Sequence, residues 1–281
     1  MVRNAPIGVM DSGVGGLTVV GELWRQLPTE EVLFYGDSAR CPYGDRTPAE
    51  IARFTFRALD FLAASGVKML VIACNTATAV CLDMARRRYP VPVIGVISPG
   101  ARAAIAATGS KRIGVIGTSA TIRSNSYPRA LRAAHRGIRT WSVACPGFVE
   151  IVERGAANSE VARSLARDVL KPLDRADIDT LILGCTHYPL LAPVIGEVMG
   201  QGVRLISSAE ETARDVSLWL TENRMTRIDL RAPAHRFLTS GDPAQFESIG
   251  SQWLGLPIRA EYLDVFSSDE DETDEEELSG I

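Results

Sequence analysis

Short apolar runs rich in β-branched residues recur along the chain at 7–10, 32–35, 69–73, 93–96, 113–116, 139–143, 180–183 and 204–206. Between most of them lie helical patterns, as at 48–65, 77–89, 160–175 and 210–223. A strand that is apolar on both faces needs cover on both sides. Strands of that kind alternating with helices therefore predict parallel sheets sandwiched between helices, not an antiparallel sheet with one wet face. In such folds the chemistry gathers at the carboxyl ends of the strands.

The pattern also repeats. "IGVMDSG" at 7–13 is echoed by "IGVIGTS" at 113–119, a shift of 106 residues, and "KMLVIACNT" at 68–76 by "DTLILGCTH" at 179–187, a shift of 111. Each copy is an apolar strand that ends in small and polar residues. Two echoes in the same order predict an α/β chain of two similar domains, with mainly parallel sheets covered by helices and the site in the cleft between them. The expected first domain comprises residues 1–97 plus 207–266, and the second 98–206. The echo puts Cys74 and Cys185 at equivalent strand ends, so halves that face each other bring the two thiols to one cleft.

Composition narrows the class. Apolar content of 46% with 23% charged residues is ordinary for a water-soluble chain. No stretch approaches the roughly 20 uninterrupted apolar residues of a membrane helix, and the N-terminus lacks a signal peptide's apolar core. Five cysteines without repeated spacing argue against a disulfide framework and for a reducing compartment, the cytoplasm. The final segment, 267–281, holds eight acids and no base, so a net charge of −4 for the whole chain leaves +4 for residues 1–266. That segment reads as an acidic disordered tail. The 27 arginines are scattered among acids instead of forming a basic stripe, which speaks against direct nucleic-acid binding.

The strand-end motifs carry the chemistry. In "IACNTATA", Cys74 follows a strand and precedes a helix, whose positive end can lower a thiol's pKa. Asn75, Thr76 and the free N–H groups of the helix start suit a carboxylate. In "GCTHYP", His187 stands two residues after Cys185, where it can hold a proton or simply cap the next turn. A zinc site needs three or four placed ligands, and no CxxC pair exists, so no metal is expected. "DSGVGGLTVV" fits neither a P-loop nor a dinucleotide fingerprint. It offers Asp11 and Ser12 at a strand end, with glycines that allow a tight turn or a close ligand. Tyr43 and Gly44 lie in a loop, "CPYGDRTP", that can cover such a cleft. Thr118 and Thr121 in "GTSAT" stand where the first half has Asp11 and Ser12. Glu150 and Glu153 fall on one helical face, and either can be the carboxylate facing Cys185 and His187. Cys41, Cys81 and Cys145 have no echo and read as structural.

Taken in order, "DSGVGG", "PYG", "CNTAT", "GTSAT", "FVEIVERG" and "GCTHYPLL" resemble the glutamate racemases of the cofactor-independent aspartate/glutamate racemase superfamily. The likeness spans residues 7 to 191 and continues less distinctly to about 265. It implies interconversion of L- and D-glutamate for peptidoglycan synthesis, with no cofactor, in a homodimer. Some members of the family also restrain DNA gyrase, which makes that enzyme an expected partner. By motif, Cys74 and Cys185 are the acid/base thiols, Cys74 acting on D-glutamate and Cys185 on L-glutamate. Asp11, Glu153 and His187 match the assisting polar residues. Ser12, Tyr43, Gly44, Asn75, Thr76, Thr118, Thr121 and Thr186 match substrate contacts, along with Asp11 and His187.

Three rivals remain at this level. An aspartate racemase would use the same thiols, although that group usually carries an acid where His187 stands. A hydrolase would use Cys185 as nucleophile and leave Cys74 unexplained. A binding protein would rely on its tail or its surface arginines instead of the cleft.

Overall fold

The chain's strands all run parallel within two separate sheets, in a computed structural model that describes residues 2–266. The acidic tail expected at 267–281 lies outside the described residues. The strands are β1 (Ile7–Asp11), β2 (Val32–Gly36), β3 (Met69–Ile72), β4 (Val93–Gly95), β5 (Arg112–Gly117), β6 (Arg139–Ala144), β7 (Thr180–Gly184), β8 (Arg204–Ser207), β9 (Arg236–Thr239) and β10 (Ala260–Tyr262). One sheet has the order β10-β9-β2-β1-β3-β4 and the other β6-β5-β7-β8. Adding four to each label of β2-β1-β3-β4 reproduces the second sheet, so the echo in sequence is an echo in topology. In both halves the first strand is central, and the third, which delivers the cysteine, lies beside it.

Burial explains why these runs are almost wholly apolar. Val9, Phe34 and Val71 point into one core layer of the first sheet, while Met10, Tyr35, Leu70 and Ile72 point into the other. Ile116, Leu181 and Leu183 fill one side of the second sheet, and Ile113, Val115 and Ile182 the other. Side chains alternate along a strand, so two covered faces demand apolar residues at every position.

Where local signals are strong, helix boundaries follow them. The helix Pro48–Ala64 starts with a reciprocal capping box between Thr47 and Glu50 and with proline in its first turn. The run anticipated as one helix over 160–175 instead closes at Leu170 and continues as a 3-10 turn, Lys171–Leu173. Pro172 is the cause, since it lacks an N–H and crowds the preceding turn. β9 and β10 had no clear sequence signal: they are only four and three residues long and carry polar or exposed positions. They extend one edge of the first sheet beside β2. Among the described residues no helix is long and apolar enough to cross a membrane.

At the amino ends of the first sheet's strands a buried ion pair ties four segments together. Lys68, just before β3, pairs with Glu30 and donates to the carbonyls of Arg3 (2.7 Å) and Met225 (2.9 Å). Glu30 accepts from the Arg227 backbone N–H at 2.7 Å. Both side chains are buried. Lys68→Ala strands the Glu30 carboxylate without its cation and is expected to cost about 3–5 kcal/mol in urea denaturation. Because the pair lies at the strand ends remote from the cysteines, the folded variant should keep its cleft chemistry.

Candidate active site

The carboxyl ends of the two sheets meet across one cleft. Thr76, past the end of β3, hydrogen-bonds through Oγ1 to Thr118 (2.8 Å) and Thr121 (3.2 Å), both past the end of β5. Thr186, past the end of β7, donates to Asp11 Oδ2 at the end of β1 (3.1 Å). These contacts join residues up to 175 positions apart. They bring Cys74 and the strand end that carries Cys185 to Asp11 and Ser12. Cys74 Sγ lies 3.5 Å from Ser12 Oγ, and Cys185 directly precedes Thr186.

Cys74 occupies the cap position of the helix Asn75–Arg88, as its sequence context suggests. Its pKa nevertheless goes the other way from the expectation. Burial pushes the thiol up to about 12, and the Asp11 charge adds to the rise, while bonds from Ser12 and the Ala77 N–H only partly offset it. Desolvation of a thiolate outweighs the helix end because the side chain is almost completely enclosed.

The Cys185 side is built around a charge chain. His187 is buried, with Nδ1 3.7 Å from Cys185 Sγ and Nε2 2.6 Å from Glu153 Oε1. Burial alone would lower the imidazole's pKa. Hydrogen bonds with Cys185, Cys41 and Glu153 overcome it and raise the value well above 6.5. Burial would likewise raise Glu153, but His187 brings it below its ordinary value. Asp11 is pushed up to about 6, mainly by burial, against the opposing pull of His187 and the Gly13 N–H. Of the two candidate glutamates, Glu153 touches His187 and Glu150 lines an outer cavity.

A second cluster offers hydrogen bonds without charge. The Thr76, Thr118 and Thr121 hydroxyls lie within 3.2 Å of one another. Beside this helix start, Asn75 Oδ1 accepts from Tyr127 Oη at 2.7 Å, and its buried Nδ2 has no protein partner. That amide and the hydroxyls are suited to an anionic oxygen. Tyr43 is placed differently from a side-chain contact: its hydroxyl donates to Asp37 Oδ2 at 2.7 Å, deep in the core. Any approach of this residue to a ligand is through its main chain. Gly44 packs directly on Thr118, and a Cβ there would fall 2.6 Å from the Thr118 Cβ.

The glycines of "DSGVGG" make room for side chains of the protein itself. A Cβ on Gly13 would sit 2.5 Å from Glu153 Oε1, and one on Gly15 would sit 2.5 Å from both Thr186 Oγ1 and His187 Nδ1. Cys41, read from sequence as structural, lies 3.8 Å from Glu153 Oε1. Its position directly before the "PYG" loop was the available signal, but it has no echo in the other half. Trp253, which no motif singled out, sets its ring edge-on to His187 with centroids 6.5 Å apart. Cys81 is packed in the apolar core, and the Cys145 carbonyl accepts from Tyr188 Oη at 3.2 Å.

Comparison with known proteins places this geometry. The Asp/Glu/Hydantoin racemase family matches residues 7–216. A glutamate racemase of Exiguobacterium sibiricum is 53% identical over 267 residues, covering 95% of this chain and 98% of that protein. One from Bacillus anthracis of known crystal structure superposes with a TM-score of 0.89 at 46% identity, covering 93% of this chain and 98% of that one. The Francisella tularensis glutamate racemase, solved in complex with D-glutamate, gives a TM-score of 0.88 at 33% identity over 95% of this chain and all of that one.

The His187–Glu153 contact has a pH signature. A histidine whose folded pKa is raised adds stability that is complete below about 6.5 and is lost as pH rises through the folded value. Glu153→Gln should therefore move the His187 titration downward, read by imidazole NMR. An unmoved midpoint would show that the carboxylate does not hold the proton there.

Proposed function

The chain belongs to the Asp/Glu/Hydantoin racemase family and is an isomerase of the glutamate racemase type, and we propose that it interconverts L- and D-glutamate by exchanging the α-proton between Cys74 and Cys185. What carries this reading is that two thiols follow equivalent strands of two matching sheets, with Cys74 against Ser12 and the neighbour of Cys185, Thr186, bonded to Asp11. Racemisation removes a proton from one face of Cα and returns one to the other. Two proton carriers straddling the carbon are needed, and a thiol serves as either base or acid.

The two sides are unequal, and the family resemblance assigns Cys185 to L-glutamate and Cys74 to D-glutamate. Cys74, with its pKa pushed up to about 12, holds its proton and is the ready donor. Cys185 has a protonated imidazole 3.7 Å away, which stabilises negative charge on sulfur. In the L-to-D direction Cys185 thiolate takes the α-proton and Cys74 thiol delivers one to the opposite face. The D-to-L direction runs the same steps backwards, with Cys74 as the base. Asn75 Nδ2 and the Thr76, Thr118 and Thr121 hydroxyls hold one substrate carboxylate. Ionised Asp11 pairs with the substrate ammonium, and Thr186 and Ser12 fix the adjoining walls. Gly44 and the Tyr43 main chain close the cleft above Thr118. Glu153 acts through His187 by keeping it protonated.

The product supplies D-glutamate for peptidoglycan in the cytoplasm, a placement consistent with five unpaired cysteines. A homodimer and a contact with DNA gyrase accompany this reading as expectations of the family and take no part in the steps above.

Two measurements test the scheme. In D2O with L-glutamate and no added cofactor, racemisation should proceed with deuterium uptake at Cα, and Cys74→Ala or Cys185→Ala should lower it by about 10²–10⁴-fold or more. Turnover that survives in both single variants would sink the two-thiol exchange. The second is the acid limb of kcat/KM, expected near pH 6 where Asp11 loses its charge. Activity falls below that pH because a neutral carboxyl cannot pair with the ammonium. Asp11→Asn should lower kcat/KM and erase that limb.

A further inference from the structure

A cavity open to solvent lies beside Glu153, the carboxylate partner of His187. It has a volume of about 180 Å³ and is bounded by Cys41, Glu150, Glu153, Asp242 and Gln245. Neither Cys74, Cys185 nor the threonine cluster lines it, and its link to His187 is through Glu153, which lines the cavity and bonds the imidazole. At its inner end three different ligand types converge. Cys41 Sγ, a Glu153 carboxylate oxygen and a His187 ring nitrogen all lie within 4.8 Å of one another.

We propose that Cys41, Glu153 and His187 bind a thiophilic divalent cation of the Zn2+ class, and that the bound ion arrests the Cys185 half of the reaction. The donor set selects the ion. Sulfur, imidazole nitrogen and a single carboxylate suit Zn2+ or Co2+, whereas Mg2+ and Ca2+ require mostly oxygen. The acids along the cavity, Glu150, Glu153 and Asp242, favour entry of a cation.

Around Glu153 the adjustment needed is small. Glu153 Oε1 now stands 2.6 Å from His187 Nε2 and 3.8 Å from Cys41 Sγ. A tetrahedral ion with bonds of about 2.0–2.3 Å spaces its nitrogen and oxygen ligands roughly 3.3 Å apart. The imidazole and carboxylate must therefore separate by roughly 0.7 Å, and the partly exposed Glu153 side chain has the cavity to move into. Gly13 keeps this corner open, because a Cβ there would stand 2.5 Å from Glu153 Oε1 and 3.1 Å from Cys41 Sγ.

In effect the ion replaces the proton now shared by His187 and Glu153. Bonds form from the metal to Sγ, Nε2 and the carboxylate. The Cys41 thiol proton and the Nε2 proton of His187 leave to solvent, with no change of oxidation state. Binding therefore tightens as pH rises. Two protons leave as a dication binds, so the site's net charge is unchanged. The arrest is positional: the metal fixes in its own geometry the imidazole whose Nδ1 now stands 3.7 Å from Cys185 Sγ. Binding is independent of the racemase reading; the arrest of turnover rests on it.

The test uses the full chain, with Co2+ as a spectroscopic stand-in. Co2+ should produce a saturable thiolate-to-metal absorption band in the wild type and in Cys81→Ser, displaced by Zn2+ and lost in Cys41→Ser. A band retained in Cys41→Ser, or absent from the wild type, overturns the site. Should Cys41→Ser fail to fold, Glu153→Gln decides it: Co2+ affinity at least about tenfold weaker supports the site, and unchanged affinity removes it. In parallel, Zn2+ should inhibit L-glutamate turnover reversibly by chelator, while Mg2+ does not, and inhibition of Cys41→Ser should need at least about tenfold more Zn2+. Equal inhibition of Cys41→Ser, or a Cys41-dependent band without inhibition, overturns the arrest and leaves the binding result standing. A chain inactive on glutamate would defeat the racemase reading, and the Co2+ titration would still decide the site.

Discussion

In a parallel sheet every strand delivers its carboxyl end to the same edge, and two such edges set against each other leave one cleft with polar walls. Everything chemical in this protein follows from that constraint. β1 contributes Asp11, with Ser12 following, the residues after β3 contribute Cys74, Asn75 and Thr76, and those after β7 contribute Cys185, Thr186 and His187. The opposite edge of the first sheet carries the Lys68–Glu30 pair, which binds loops together where no chemistry is needed. Stability and reactivity are thus separated along the strand direction.

Burial is the second organising force, and its effect depends on what each group can bond. Cys74 has only weak partners, and desolvation keeps its proton in place. His187 is equally enclosed, yet a carboxylate at 2.6 Å and two sulfur partners hold it charged. Enclosure therefore holds the proton on a thiol on one side and favours a charged imidazole on the other. Two cysteines in equivalent topological positions differ because the residues around them differ.

Close packing at the glycine loop shows how little slack the site has. Gly13 and Gly15 lie where any side chain would displace Glu153, Thr186 or His187. A glycine run between a strand and a helix most often suggests a bound phosphate or a tight turn. Here it is the absence of side chains, more than any special backbone angle, that lets residues from three segments share one corner. The same corner admits Cys41, which turns a proton-holding pair into a set of three metal-competent ligands.

Much of the architecture was legible because it is local. Apolar runs alternating with helical patterns specify parallel strands and cover, and the repeated "IGV" and thiol segments specify two alike halves. The equivalence of Cys74 and Cys185 could be read directly from a shift of 111 residues. β9 and β10 escaped because strands of four and three residues with exposed positions carry no usable period. The family motif pointed to Glu153, but that it and not Glu150 touches His187, why Tyr43 turns its hydroxyl away, and that Cys41 belongs beside Glu153 could be seen only in the tertiary structure. Those facts depend on how two sheets orient across a cleft, through contacts such as Asp11 with Thr186, 175 positions apart. Periodicity records which face of an element is buried; it holds no record of which distant side chain will meet it there.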